Sequence, residues 1–254
     1  AAPVLGPLRE VNGVSIVPQQ VISQITPNTK MVIVNSPAKP TGGVTSREQL
    51  EEVIAALRDR PDIWILSDEI YSRLLYDGEE HVSPMIDDAV RDRIIMLDGF
   101  SKTWAMTGWR CGYGVMIPEL CEVITKLMIN SNSCTASFTQ IAAIEALTGD
   151  QSGAQAMHAA FDKRRRHIVD LINQIPGFSC HLPKGAFYVM PNIREVGMSS
   201  KELQDRLLAE AGVAALAGTA FGSEGEGYLR FSYATDIPTI DKGIGRVHDF
   251  INTL

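Results

Sequence analysis

The sequence holds no apolar run near the ~20 residues that a membrane-spanning helix needs. Its longest candidates, Ile63-Trp64-Ile65-Leu66 and Ile94-Ile95-Met96-Leu97, are strand-sized, so no membrane partner is expected. Basic residues are also scarce. The 23 Lys and Arg stand against 30 Asp and Glu, a net charge of −7, which argues against general nucleic-acid binding because that needs a cationic surface. The one basic run, Lys163-Arg164-Arg165-Arg166-His167, reads as the solvated face of a helix. Cysteines number 4, and Cys111, Cys121, Cys134 and Cys180 show neither C-x-x-C nor Cys/His spacing. That suits free thiols in a reducing, cytoplasmic compartment better than a disulfide framework. No basic-then-apolar leader opens the stretch from Ala1 to Glu10, and no internal repeat occurs.

What is present is ordinary globular composition: 254 residues, 45% apolar and 21% charged, with 21 Gly and 13 Pro. This length accommodates one or two domains and a core that needs no disulfide or metal staples. In the first half, β-rich runs at 31–35, 63–67, 94–98 and 112–116 alternate with helical stretches, the pattern of a mainly parallel sheet covered by helices. Thr45-Ser46-Arg47-Glu48 reads as a capping box ahead of Leu50, Val53, Ile54 and Leu57 at helical spacing. Further helices are expected at 118–129, with Pro118 in the first turn, and at 137–147, stopping at Gly149.

The polar segment Thr148-Gly149-Asp150-Gln151-Ser152-Gly153 marks a boundary, dividing the chain into 1–152 and 153–254. Beyond it the pattern predicts a long helix over 156–174 and strands near 178–182 and 186–190. A capped helix from Ser199 to Ala211, closed by Gly212, follows, then strands near 213–216 and 228–233. A last helix carries Ile240, Ile244, Val247 and Ile251 on one face. The second part therefore reads as a smaller α+β domain.

The chemistry gathers after three successive predicted strands. Asn35-Ser36-Pro37-Ala38-Lys39-Pro40-Thr41-Gly42-Gly43, Asp68-Glu69-Ile70-Tyr71 and Gly99-Phe100-Ser101-Lys102 each follow one. Ligands of open α/β sheets bind at the carboxyl ends of strands, so the three clusters can converge on one pocket. Two other readings fail. The strand ending in Asp68-Glu69 resembles a Walker B segment, but no G-x-x-x-x-G-K-[ST] loop accompanies it. A Ser101-Lys102 hydrolase dyad would need adjacent residues, which normally point apart on a strand, to converge.

Ser67-Asp68-Glu69-Ile70-Tyr71, the run from Gly99 through Lys102 and Trp109-Arg110 to Tyr113, Pro183-Lys184-Gly185-Ala186-Phe187-Tyr188 and Tyr228-Leu229-Arg230-Phe231-Ser232 together resemble the class I aminotransferases among the fold-type I pyridoxal phosphate (PLP) enzymes. The motifs keep the family's order over essentially the whole chain. The resemblance implies an α/β PLP-dependent transferase large domain with a mostly parallel sheet, its C-terminal portion in 1–152, and a smaller C-terminal domain in 153–254. It implies that Lys102 is catalytic, forming the Schiff base with PLP and shuttling the proton between the substrate α-carbon and the cofactor. Asp68 would pair with the pyridine nitrogen, Tyr71 with the phenolic oxygen and Arg110 with the phosphate, while Arg230 would clamp the substrate α-carboxylate. Trp104 and Trp109 read as core or interface packing.

Three positions depart from the family. Lys39 replaces the usual Asn at a cofactor-binding position, adding a charge near Lys102; Gly99 stands where many relatives place a phosphate-binding Ser; Ala217 replaces a common Pro. The resemblance also implies that the chain starts inside the cofactor domain, without the family's N-terminal arm, phosphate-cradling loop and ring-stacking aromatic, which would leave an open sheet edge and exposed apolar surface. The expected activity is transfer of an amino group between an L-amino acid and a 2-oxo acid by a ping-pong mechanism, in amino acid metabolism and as a homodimer. A non-catalytic ligand-sensing domain on the same fold and a PLP-dependent lyase are the alternatives.

Overall fold

The computed structural model describes residues 1–6 and 15–254; residues 7–10 of the stretch read above for a leader lie outside them. Two compact units emerge: a sheet unit of Ile16–Pro37 and Val44–Ala156, and a C-terminal unit of Met157–Leu254 with Ala1–Ser15 and Ala38–Gly43.

In the sheet unit, β1 (Met31–Asn35), β2 (Trp64–Asp68) and β3 (Ile94–Gly99) run parallel, and β4 (Gly112–Val115) closes the order β1-β2-β3-β4 antiparallel to β3. The mainly parallel sheet is as expected, with strand ends within about one residue of the pattern. Helix α2 (Arg47–Arg58) lies between β1 and β2 in sequence, and its Leu50, Val53, Ile54 and Leu57 bury against Ile63, Ile65, Val90 and Ile94. Its cap sits one residue later than expected. The Thr45 N–H is committed to Ser36 Oγ at 3.0 Å, so Ser46 becomes the N-cap and exchanges hydrogen bonds with Gln49, which serves the box as well as Glu. The end of α2 is capped from a distance. Buried Arg93 donates to the carbonyls of Leu57 and Arg58 at the helix end and of Arg60 and Ile63 in the connection to β2. A short helix α1 (Pro18–Ser23), which the hydrophobic pattern did not announce, adds Val21 to this core.

Helices α3 (Pro118–Ser131) and α4 (Ser137–Thr148) follow β4 at their expected places. Every residue of β4 is exposed, and α4 buries only Thr139 and Ala143 while Phe138, Ile141 and Ile144 are 61–69% exposed. Val123, Leu127 and Ile129 of α3 are exposed as well.

Helix α5 (Ser152–Ile172) begins four residues before the pattern predicted, and the C-terminal unit takes it up from Met157. Strands β5 (Tyr188–Val189), β6 (Leu216–Ala217) and β7 (Leu229–Ser232) form an antiparallel sheet in the order β5-β7-β6. Helix α6 (Ser200–Arg206), capped by Ser199, continues into a π-helical turn over Leu207–Ala211 that ends at left-handed Gly212, φ +63°. Helix α7 (Ile237–Ile251) buries Ile240, Ile244, Val247 and Ile251 as predicted, against Ile168, Ile172, Leu203 and Leu229.

Three expectations fail here. Residues 178–182 form no strand beyond one bridge, Ser179 to Asn192, because the Asn173 side chain takes both the N–H and the C=O of Cys180. Residues 213–215 stay out of the sheet because the Val213 N–H closes the preceding turn on Leu207 O. The basic run is not a solvated face throughout. Arg165 is fully buried, bonded to Asp162 and to Pro183 O at 2.7 Å, because it shares the inward face of α5 with Ile168, Val169 and Ile172.

Among the described residues no helix is long and apolar enough to cross a membrane, and all four cysteines are free. Large apolar side chains exposed together, as on α3 and α4, drive association. Sedimentation velocity of the chain is expected to show species larger than monomer that grow with concentration, and Ile141→Glu with Ile144→Glu to shift them toward monomer. A wild-type monomer at all concentrations would contradict this.

Candidate active site

Because β1, β2 and β3 are parallel, their last residues share one edge of the sheet. Asn35 pairs with Asp68, and the Asn35 side-chain amide donates to Asp68 O at 3.1 Å. Strand β2 alternates, with Ile65 and Ser67 buried on one face and Trp64, Leu66 and Asp68 half-buried on the other. Past its end the chain turns sharply: Ile70 N–H donates to the Asp68 carboxylate, Ser72 N–H to Glu69 O and Leu74 N–H to Tyr71 O. This corner buries Tyr71 to 2% exposure.

Past β3 a tightly turned loop carries Lys102. Phe100 packs on Trp104 at 5.3 Å between ring centroids, Ala105 N–H returns to Lys102 O, and the Thr107 hydroxyl donates to Ser101 O at 2.8 Å. Ala105 and Arg110 are both left-handed at φ +53°, a conformation side chains seldom adopt, and here the loop's own hydrogen bonds impose it. The half-buried Lys102 places Nζ 5.9 Å from the Tyr71 ring centroid. Arg110 donates to Thr107 O and lines an open cleft of about 920 Å³ with Trp109, Ser133, Cys134 and Thr135. The structure thus brings Asp68, Tyr71, Lys102 and Arg110 to one edge of one sheet. Trp104 packs as expected, its indole N–H on Gln151, whereas Trp109 is an exposed cleft wall.

Gly99 lies opposite Gly112 so closely that a Cβ on it would stand 2.9 Å from Gly112 Cα. That explains glycine rather than serine at this position.

A buried acid on the other face of β2 escaped sequence reasoning. The Glu69 carboxylate accepts from Ser67 Oγ at 2.8 Å, Ser83 Oγ at 2.6 Å and His81 Nε2 at 2.7 Å. Burial works to raise its pKa, but the hydrogen bonds from His81, Ser83 and Ser67 outweigh it and hold the carboxyl below the ordinary glutamate range. Asp98, by contrast, is pushed up by burial despite bonds from the Gly99 N–H and the Tyr113 hydroxyl. The available signal was parity: Glu69 continues the buried Ser67 face of the strand.

Lys39 and Arg230 both belong to the C-terminal unit. Arg230, in β7, has its guanidinium carbon 4.6 Å from the Tyr188 ring centroid and 5.1 Å from that of Phe221. Its Nε is buried and makes no hydrogen bond. Phe221 sits in a loop tied off by Gly218 and Gly225, where a Cβ on either would approach the other's carbonyl oxygen to about 2 Å. Lys39 is exposed and lines a cleft of about 230 Å³ with Phe221, Glu224 and Tyr228. Left-handed Gly42, φ +72°, accepts from the N–H groups of Lys184 and Gly185, joining this segment to the Pro183-Lys184-Gly185 turn. Among the described residues no cluster of His, Cys, Asp or Glu could hold a metal ion.

Two outcomes follow from this geometry. Gly99→Ser must spread β3 from β4 and is expected to destabilise the chain by about 1–3 kcal/mol in urea unfolding. Glu69 contributes stability that is present above the ordinary glutamate range and is lost as pH falls through its depressed pKa, so Glu69→Gln is expected to flatten the acid limb of a stability-versus-pH curve. An unchanged limb would show that Glu69 titrates normally.

The family model for aminotransferase class I and II matches residues 1–247. An aspartate aminotransferase of Pyrococcus horikoshii is 41% identical over 249 residues, 97% of this chain and 63% of the relative, and an aromatic-amino-acid aminotransferase of Thermococcus litoralis is 36% identical over 96% and 63%. Among solved structures, the aromatic aminotransferase of Pyrococcus horikoshii OT3 superposes with a TM-score of 0.94 at 34% identity, covering 99% of this chain and 67% of that one. The aspartate aminotransferase of Rhizobium meliloti gives 0.93 at 30% identity, covering 98% and 65%. The chain spans about 63% of the length of these curated relatives. The resemblance carried by the motifs and the α/β fold of the sheet unit agree with these matches: the chain belongs to the class I and II aminotransferase family.

Proposed function

We propose that this chain carries the cofactor-holding and carboxylate-holding groups of a PLP-dependent aminotransferase, which moves an amino group between an L-amino acid and a 2-oxo acid in two half-reactions. The observation that supports it most is the edge of the sheet where Lys102, Tyr71 and Asp68 stand on adjacent parallel strands or just past them. The donor set matches PLP group for group: a carboxylate for a protonated pyridine nitrogen, a phenol for the phenolic oxygen, an amine for the aldehyde and a guanidinium for the phosphate.

PLP, when bound, supplies an electron sink for the bond broken at the substrate α-carbon. The chain does the rest. Asp68 keeps a proton on the pyridine nitrogen, and a charge in that half-buried position needs the opposite sign beside it. Lys102 would anchor the cofactor and, once free, carry the proton between the substrate α-carbon and the cofactor's C4′. Tyr71 donates to the phenolic oxygen, and Arg110 grips the phosphate. Arg230, stacked between two rings with an unsatisfied N–H, is preorganised for the flat, two-pronged geometry of an α-carboxylate. Lys39 offers an ammonium donor in the same unit, where the family uses an amide. The proposal extends to a cytoplasmic homodimer in amino acid metabolism, with 1–152 as part of the cofactor domain and 153–254 as the small domain.

Titration with PLP is expected to produce a visible absorbance band that Lys102→Ala abolishes and that amino acid consumes with release of 2-oxo acid. Arg230→Lys, which keeps the charge but loses the fork, is expected to weaken amino acid binding about tenfold or more. A band that survives in Lys102→Ala would overturn the assignment.

A further inference from the structure

Glu69 is a buried charged group that the proposed mechanism leaves unused. Glu69 is 6% exposed, and three side chains converge on its carboxylate from two stretches of chain: Ser67 on β2, and His81 and Ser83 beyond the turn. Its N–H extends the ladder to Leu97 O, and Ser83 also caps the 3-10 turn Pro84–Ile86. The carboxylate therefore ties the end of β2 to the returning chain, and the span it closes holds the whole corner with Tyr71. Asp68 lies next to it, on the opposite face of the strand.

The histidine reaches the carboxylate through one ring nitrogen only. His81 Nε2 is bonded to Glu69, whereas Nδ1 is buried with no hydrogen-bond partner. The Glu69 charge is also felt by Asp98, whose pKa it helps to raise.

We propose that Glu69 and His81 form a positioning pair that, from the buried face of β2, locks the corner carrying Asp68 and Tyr71 in the conformation that receives the pyridine ring. The inference rests on the function proposed above. Its physical content is that Asp68 and Tyr71 are held by main-chain geometry, and that this geometry is held by a hydrogen-bonded carboxylate whose partners cannot be water at such burial.

The test compares wild type with His81→Leu, which fills the space and removes the donor, and His81→Gln, which keeps an N–H donor. In the cofactor-free chain, amide exchange at Ile70, Ser72 and Leu74, the three corner bonds, is expected to quicken about tenfold in His81→Leu with β1 amides unchanged, and to return toward wild type in His81→Gln. PLP affinity is expected to fall about tenfold in His81→Leu and to recover in His81→Gln. Equal exchange in all three proteins, equal affinity in all three, or a Gln variant as impaired as Leu would overturn the proposal. Should His81→Leu fail to fold, Ser83→Ala removes one bond from the same carboxylate and gives the same comparison. A wild-type chain that binds no PLP would overturn the functional reading itself, while the exchange result still decides whether the pair holds the corner.

Discussion

Parallel strand pairing is the constraint from which the rest of the sheet unit follows. Once β1, β2 and β3 are hydrogen-bonded in one direction, their chain ends must emerge on one edge, and each strand must be followed by a loop or helix that carries the chain back. Asn35, Asp68 and Lys102 are separated by dozens of residues in sequence, yet the ladder leaves them no other place. The antiparallel β4 adds to the convergence because it starts at the edge where its neighbours end, which brings Arg110 there.

Buried charge is handled in two contrasting ways. Arg93, Arg165 and Glu69 are each saturated with partners: backbone carbonyls for the first, an aspartate and a carbonyl for the second, two hydroxyls and an imidazole for the third. A buried group left without such partners costs on the order of 1–3 kcal/mol, more when charged, so these three act as structural rivets. Arg230 departs from this rule. Aromatic faces fix its plane and its buried Nε goes unbonded, an arrangement that costs stability rather than adding to it.

Legibility varied with how local the cause was. The strands 31–35 and 94–98, the α2 face and the α7 face were readable because period 2 and period 3.6 are properties of neighbouring residues. The strand expected at 178–182 and the solvated basic run were misread because the deciding partners, Asn173 for Cys180 and the α5 core face for Arg165, lie in packing rather than in composition. Glu69 stood in plain view inside a quoted motif, but its partners His81 and Ser83 are 12 and 14 residues away and reach it only through the turn.

The sequence by itself determined the element types, the family through motifs in fixed order, and the identities of Asp68, Tyr71, Lys102, Arg110 and Arg230 as candidates, since side-chain chemistry and short-range periodicity are written residue by residue. Tertiary structure alone decided that Gly99 has no room for a side chain, that Arg230 is stacked and unsatisfied, and that Glu69 anchors the corner. Each of these depends on distances between segments far apart in the chain, and such distances exist only after the backbone has closed its hydrogen bonds and the core has packed.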